Sequence, residues 1–233
     1  MSTRVPAPLR AFLAGQEVAR SIGFIRLWWG KLVRTRWRLR RNQRATGRKL
    51  EIGPAPRRME GFETLNIIGG ADVDYVLDAS KSLPIENDTF ELVYCSHILE
   101  HIPWYQTETV LREWVRILKR GGSLEIWVPD GLKICQTLVD AEVLGRDRTH
   151  LDGWYKFNPA KDPCVWAAGR LFTYGDGTGR ANSPNWHRAL FTARYLEMLL
   201  KRVGLKDVRQ MRPSEVRGTD HGWINLGFVG TKP

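Results

Sequence analysis

Residues 91–130 read ELVYCSHILEHIPWYQTETVLREWVRILKRGGSLEIWVPD, and this stretch decides the fold class. With Phe90 before it, the segment 90–94 is a short apolar run of strand composition. Pro103 stands where a helix can begin. Val110, Leu111, Trp114, Val115 and Leu118 follow at helical spacing, with Arg112, Glu113 and Arg116 between them. Lys119 and Arg120 suit the negative end of that helix, and Gly121 can take a left-handed cap. Residues 123–128 alternate as a strand does, and Pro129-Asp130 closes them. Strand, helix, Gly-Gly, strand is a crossover unit, so the two strands are expected to be parallel neighbours in one sheet.

Working outward, short strands are expected at 50–52, 64–67 and 73–77, each followed by turn-forming residues: Gly53-Pro54, Gly69-Gly70 and Asp78. Residues 191–203 have helical spacing, with Tyr195, Leu196, Leu199 and Leu200 on one face, and 208–211 and 224–230 suit closing strands. Residues 145–186 are rich in Gly, Pro, Asp, Trp and Tyr without a clean period. They are expected to be a loop-rich insertion, and long loops of this kind usually carry function. Strands alternating with helices predict an open, mostly parallel α/β sheet, whose ligands sit at the carboxyl ends of the strands.

The charge is lopsided. The chain of 233 residues has a formal net charge of +11, but residues 1–49 hold 13 Lys and Arg against one acid, Glu17. Residues 50–233 hold 23 bases and 24 acids and are close to neutral, so they lack the basic face that nucleic-acid substrates usually demand. The division predicted is a basic, amphipathic helical arm over 1–48 and one domain over 49–233. Within the arm, apolar residues at 25, 28, 29, 32 and 33 would share a helix face, with Arg34, Arg38 and Arg41 on another. Trp28, Trp29 and Trp37 beside so many cations suit an anionic membrane surface, which residues 1–45 are expected to contact. A helix packed on the domain with a solvated basic face is the plainer reading. Three cysteines, Cys95, Cys135 and Cys164, have no paired-ligand spacing, which fits a reducing compartment. No apolar run is long enough to span a bilayer and no secretory signal stands out, so a cytoplasmic chain, peripheral at the inner face of the membrane, is expected.

Leu50-Glu51-Ile52-Gly53, Leu65-Asn66-Ile67, Val76-Leu77-Asp78-Ala79, LPIENDTFELVYCSHILEHI and RILKRGGSLEIWVPD, in this order and spacing, resemble the class I S-adenosylmethionine-dependent methyltransferases, in particular their type 11 domain. The resemblance spans about residues 49–130, with a looser match over 187–208. It implies a Rossmann-like fold and S-adenosylmethionine as cofactor. Carried over position by position, Glu51 would face the amino-acid end of the cofactor, and Gly53 would let backbone approach it. Asn66 would hydrogen-bond the ribose, Asp78 with Ala79 would read the adenine, and Cys95, Ser96 and His97 would line the crevice. Two positions depart from the family pattern: Pro54-Ala55 follows Gly53 where a second glycine is usual, and Asn66 replaces an acid.

Methyl transfer needs positioning and exclusion of water, and a hydroxyl acceptor also needs a base. His97, just past the fourth strand, and His187, at the end of the insertion, are the catalytic candidates; His101 fits a packing role. The acceptor expected is a small molecule or a lipid-linked, envelope or saccharide-related one, and no metal is expected. Two rival readings exist. One is a non-catalytic domain of the same fold tethered by its arm. The other is a zinc-dependent hydrolase, because His97-Ile98-Leu99-Glu100-His101 matches H-x-x-E-H.

Overall fold

The computed structural model describes residues 33–54 and 58–233. Seven strands form one sheet: β1 (Lys49–Ile52), β2 (Glu63–Asn66), β3 (Tyr75–Val76), β4 (Phe90–Ser96), β5 (Leu118–Pro129), β6 (Lys206–Met211) and β7 (Asn225–Thr231), in the order β3-β2-β1-β4-β5-β7-β6. The first five are parallel, and β7 runs antiparallel between β5 and β6. Among the described residues five α-helices accompany them: α1 (Thr35–Asn42), α2 (Thr107–Ile117), α3 (Gly131–Leu144), α4 (Pro163–Phe172) and α5 (Ala193–Arg202). From β1 the chain steps outward to β2 and β3, then returns to place β4 on the other side of β1. The order reverses between β1 and β4, and in open α/β sheets the ligand crevice lies outside the carboxyl ends at such a point.

The crossover unit is present as expected. β4 and β5 pair in parallel, and α2 buries Val110, Leu111, Trp114 and Ile117 between them and the rest of the core. Its end differs from the sequence expectation. The helix stops at Ile117 and the chain enters β5 at once. Lys119, Arg120, Gly121 and Gly122 form a bulge in which Phe90 pairs with Leu118 but Leu92 with Ser123. Lys119 reaches Glu91 at 3.2 Å, and Gly121, at φ +76°, donates its N–H to the Lys232 carbonyl. The segment after β7 thus pairs with this bulge, Lys232 also donating to the Gly122 carbonyl at 2.9 Å, where a helix cap was expected.

One face of the sheet carries the main core, to which Leu50, Ile52, Val93 and Cys95 contribute. Phe62, Leu92, Tyr94, Trp127 and Met211 make a smaller cluster. Alternation along β4 sends Val93 and Cys95 one way and Leu92 and Tyr94 the other. The expected insertion is more ordered than its composition suggests. Asp162 caps α4 through the Val165 N–H with Pro163 at the first helical position, and Trp166 and Ala167 are buried.

Helix α1 falls inside the stretch expected as an arm, yet it is stitched to the β3 edge. Thr35 Oγ1 accepts the Val76 N–H at 2.9 Å, Arg34 donates to the Gly70 and Ala71 carbonyls, and Arg38 faces Asp74 at 3.4 Å. Contacts therefore cross the boundary placed at 48. Trp28 and Trp29 lie outside the described residues. Among the described residues no helix is long and apolar enough to cross a membrane.

Glu63 ties α1, β1, β2 and β3 together. Arg48 donates to it at 2.7 and 2.9 Å, Asn42 at 3.0 Å, and the Tyr75 hydroxyl also bonds it. Burial pushes this carboxyl up, but the Arg48, Tyr75 and Asn42 bonds outweigh it and hold it below its usual 4.5. A carboxylate depressed on folding stabilises above its unfolded pKa and loses that contribution as pH falls through the lower folded value. Glu63→Gln is expected to cost about 2 kcal/mol at pH 7. In thermal melts its deficit against the wild type should shrink as pH falls below 4.5.

Candidate active site

Register brings the expected cofactor residues to one edge. Ile52 pairs with Leu65 on one side and Cys95 on the other, and Asn66 pairs with Val76. Gly53, Asn66, Asp78 and Ser96 consequently all stand at the carboxyl ends of β1 to β4. Gly53 takes φ +71°, and a Cβ there would lie 2.0 Å from Ile98 Cδ1, so only glycine fits under the loop that follows β4. Glu51 points to the face opposite Leu50 and Ile52. It is 3% exposed and accepts the Met59 N–H at 3.5 Å.

Asn66 Oδ1 accepts the Ile68 N–H at 3.3 Å, which leaves its amide N–H groups uncommitted among the described residues. Asp78 caps its own turn. Its Oδ1 accepts from the Ser80 N–H and hydroxyl, and among the described residues its Oδ2 is open to a second donor. Ala79 gives its carbonyl to Trp114 Nε1 at 3.1 Å, which anchors this corner to α2. Ser96 Oγ is buried and faces the Tyr94 hydroxyl without a hydrogen bond of good geometry among the described residues. Cys95 needs a correction: its side chain is wholly enclosed in the main core, so it does not line the crevice, and burial drives its thiol pKa well up. The remaining groups fit a nucleoside with an amino-acid end. An amide can take a hydroxyl, a half-free carboxylate can take an amino group, and a buried hydroxyl stands beside a glycine that permits close approach.

Beyond β4 the histidines depart from the sequence expectation. His97 takes φ +54° and lies outside the short turn Leu99–His101, so His97 and His101 are not two faces of one helix turn. The H-x-x-E-H pairing required of a zinc hydrolase is not formed. His97 Nδ1 lies 3.3 Å from Glu100 Oε1, and its Nε2 lies 2.8 Å from Asn225 Oδ1. Asn225 Nδ2 in turn donates to Asp220 Oδ1 at 2.7 Å, which fixes its carbonyl oxygen toward His97. Nε2 meets an amide oxygen and Nδ1 faces a carboxylate, an arrangement that favours the protonated ring. Burial pushes its pKa down, but the Glu100 contact and the Asn225 bond leave it raised. Burial likewise works to raise Glu100, and His97 holds it lowered. Held between Glu100 and Asn225, His97 is placed to orient an acceptor, and these two partners occupy the nitrogens a base would use.

His187 is enclosed, with its side chain 11% exposed. Its Nδ1 faces the Arg170 carbonyl at 3.1 Å and its Nε2 faces Glu100, so it does not open to an acceptor. Burial first, and the neighbouring His101 and His97, lower its pKa to about 4. The ring that sequence reasoning missed is His221. It stacks on His97 at 3.8 Å between centroids and is exposed at its rim. Burial of its inner side and the His97 charge lower its pKa to about 4, so it is neutral at pH 7 and presents a lone pair. No local pattern marks it, because β4 and the segment before β7 meet only in the folded sheet.

The insertion closes over this edge. His101 faces the Trp186 carbonyl at 3.3 Å, Trp104 donates to the Arg188 carbonyl, and Asp130 bridges Phe191. Trp154, Phe157 and Tyr174 form an aromatic group, with Lys156 Nζ 3.7 Å from the Tyr174 ring centre. Tyr155 instead bonds Thr149 and packs with the α3–α4 cluster.

The family profile described as a methyltransferase domain matches residues 51–126. No curated protein matches the chain. Among solved structures, an S-adenosylmethionine-dependent methyltransferase from Methanosarcina mazei is 18% identical with a TM-score of 0.48, over 79% of this chain and 92% of that one. One from Archaeoglobus fulgidus is 14% identical with a TM-score of 0.46, over 85% and 94%. A possible histamine N-methyltransferase from Thermotoga maritima is 20% identical with a TM-score of 0.43, over 85% and 89%. These likenesses are distant, and the matched segment is the one whose strand ends converge on Gly53. Over residues 51–126 the chain matches the methyltransferase-domain family, and S-adenosylmethionine is the cofactor this match implies.

Proposed function

We propose that the protein transfers a methyl group from S-adenosylmethionine to a small or lipid-linked acceptor held beneath the 149–191 segment. The observation that carries this is the convergence of Gly53, Asn66, Asp78 and Ser96 on one edge, at the point where strand order reverses. When bound, the cofactor supplies a methyl group already activated on sulfur. The chain's part is to hold donor and acceptor in line and exclude water. Asn66 and Asp78 bind the nucleoside, Glu51 and Ser96 serve the amino-acid end, and His97 fixes the floor of the acceptor side through Asn225. His221 is the neutral ring placed to accept a hydrogen bond from a hydroxyl acceptor and to take its proton as methyl transfer acidifies it. Asp78→Ala is expected to weaken binding of S-adenosylhomocysteine by about 1–2 kcal/mol through one lost hydrogen bond, measured by calorimetry. Unchanged affinity would remove Asp78 from the site.

An amphipathic acceptor is favoured by α1. Trp37 is 52% exposed and lies under the guanidinium groups of Arg38 and Arg41, with Arg36, Arg40 and Arg44 exposed beside it. Such a surface suits the anionic inner face of a membrane. The full chain should co-sediment with phosphatidylglycerol vesicles and not with phosphatidylcholine ones. It should be released at about 1 M salt, where the screening length is about 3 Å. Equal binding to both vesicles, or none, contradicts the membrane reading and leaves a soluble acceptor.

A further inference from the structure

Glu100 is 1% exposed, and neither of its carboxylate oxygens has a hydrogen bond of good geometry among the described residues. His97 faces it at 3.3 Å without a hydrogen bond of good geometry, so the carboxylate keeps lone pairs that a closer cation would stabilise. Its neighbours are arranged in a particular way. One ligand atom each from Glu100, His101 and His187 lies within 4.8 Å of the others. His187 directs Nδ1 to the Arg170 carbonyl, and His101 directs Nδ1 to the Trp186 carbonyl. An N–H donated to a carbonyl fixes the tautomer and leaves the lone pair on Nε2, the arrangement that metal-bound histidines use. The backbone holds the set together: Arg188 and Ala189 both donate to the Glu100 carbonyl, at 2.7 and 3.1 Å. His97 supports Glu100 from the other side.

We propose that Glu100, His101 and His187 bind one divalent first-row transition-metal ion of the zinc type, with the remaining position open toward the small cavity beside Arg170 and Phe191. Two imidazoles and one carboxylate are a donor set such ions favour. Bonds of about 2.05 Å in a tetrahedron put ligand atoms about 3.3 Å apart. The widest edge of 4.8 Å must then close by about 1.5 Å, a side-chain adjustment. The site differs from the H-x-x-E-H pattern because His187, from the far end of the insertion, takes the place of His97. The ion would fasten the 149–191 segment to the end of β4, over the acceptor side. This inference does not rest on the methyl-transfer reading.

The test uses the untagged full chain, stripped with chelator and titrated with Co²⁺ and then Zn²⁺. One equivalent of Co²⁺ is expected to bind with intense visible absorption, displaced by Zn²⁺, and to raise Tm. Glu100→Gln, His101→Ala and His187→Ala should each weaken Zn²⁺ binding at least tenfold, whereas His150→Ala, an exposed histidine elsewhere, should leave it unchanged. Should the alanine variants fail to fold by circular dichroism, X-ray absorption of the zinc-loaded wild type decides. Two imidazoles around the ion support the site, and none overturns it. Absence of stoichiometric binding, or binding kept in all three folded variants, also overturns it. S-adenosylhomocysteine binding measured in the same samples reports on the methyltransferase reading separately.

Discussion

Gly53→Val is expected to abolish S-adenosylhomocysteine binding and to destabilise the chain by about 2–5 kcal/mol. Two effects add. A branched residue at φ +71° is strained, costing about 1–2 kcal/mol, and the new side chain overlaps Ile98, with overpacking costing about 1–3 kcal/mol more. A double substitution separates them. Gly53→Ala should be partly rescued in stability by Ile98→Ala, which removes the atoms 2.0 Å from the new Cβ, while the backbone strain stays. If Gly53→Val binds the ligand as the wild type does, the turn after β1 is not where the nucleoside sits. Stability and binding are read on the same sample, by thermal melt and calorimetry.

His97→Ala carries the second large effect, and here the cause is a charge. The substitution leaves the Glu100 carboxylate buried without its imidazolium partner, and breaking a buried pair this way costs about 3–5 kcal/mol. For a chain of this length that corresponds to a Tm lower by about 6–12 °C. The chelator-treated protein should show it in full. His221→Ala, at the exposed rim of the same stack, should shift Tm by about a degree or two at most. Its deficit should appear in turnover, about a hundredfold for a lost proton acceptor, with S-adenosylhomocysteine affinity retained. A His97→Ala protein that melts with the wild type would show that something other than His97 balances Glu100.

The contrast between these two histidines shows what the sequence makes legible. His97 is visible because it follows a strand whose composition, helix and glycine pair announce a crossover unit, and β4, α2 and β5 lie where that pattern puts them. Its chemical state is not visible. The groups that decide it, Asn225 and Asp220, come from the start of β7 and the loop before it, brought in only by the antiparallel pairing of β7 with β5. His221 is hidden for the same reason. Cys95 was placed at the crevice by its position in the motif, but strand alternation turns its side chain into the core together with Val93. Helix α4 escaped because only Trp166 and Ala167 of its ten residues are fully buried, so no apolar stripe stands out from the Gly- and Pro-rich segments around it. Helix α3 exposes Leu132, Val139, Val143 and Leu144, which blurs its period in the same way. The one-sided charge of helix α1 gives it the sequence signature of an arm. Thr35, Arg34 and Arg38 carry its attachment, and none of these types signals an edge contact in sequence.

Calorimetric titration of the full, purified chain with S-adenosylhomocysteine tests the cofactor site most directly. One equivalent is expected to bind and to raise Tm, weakened in Asp78→Ala and absent in Gly53→Val. A wild-type chain that gives neither heat nor a thermal shift at millimolar ligand would contradict the cofactor site, and would make the domain a methyltransferase fold that no longer binds its donor.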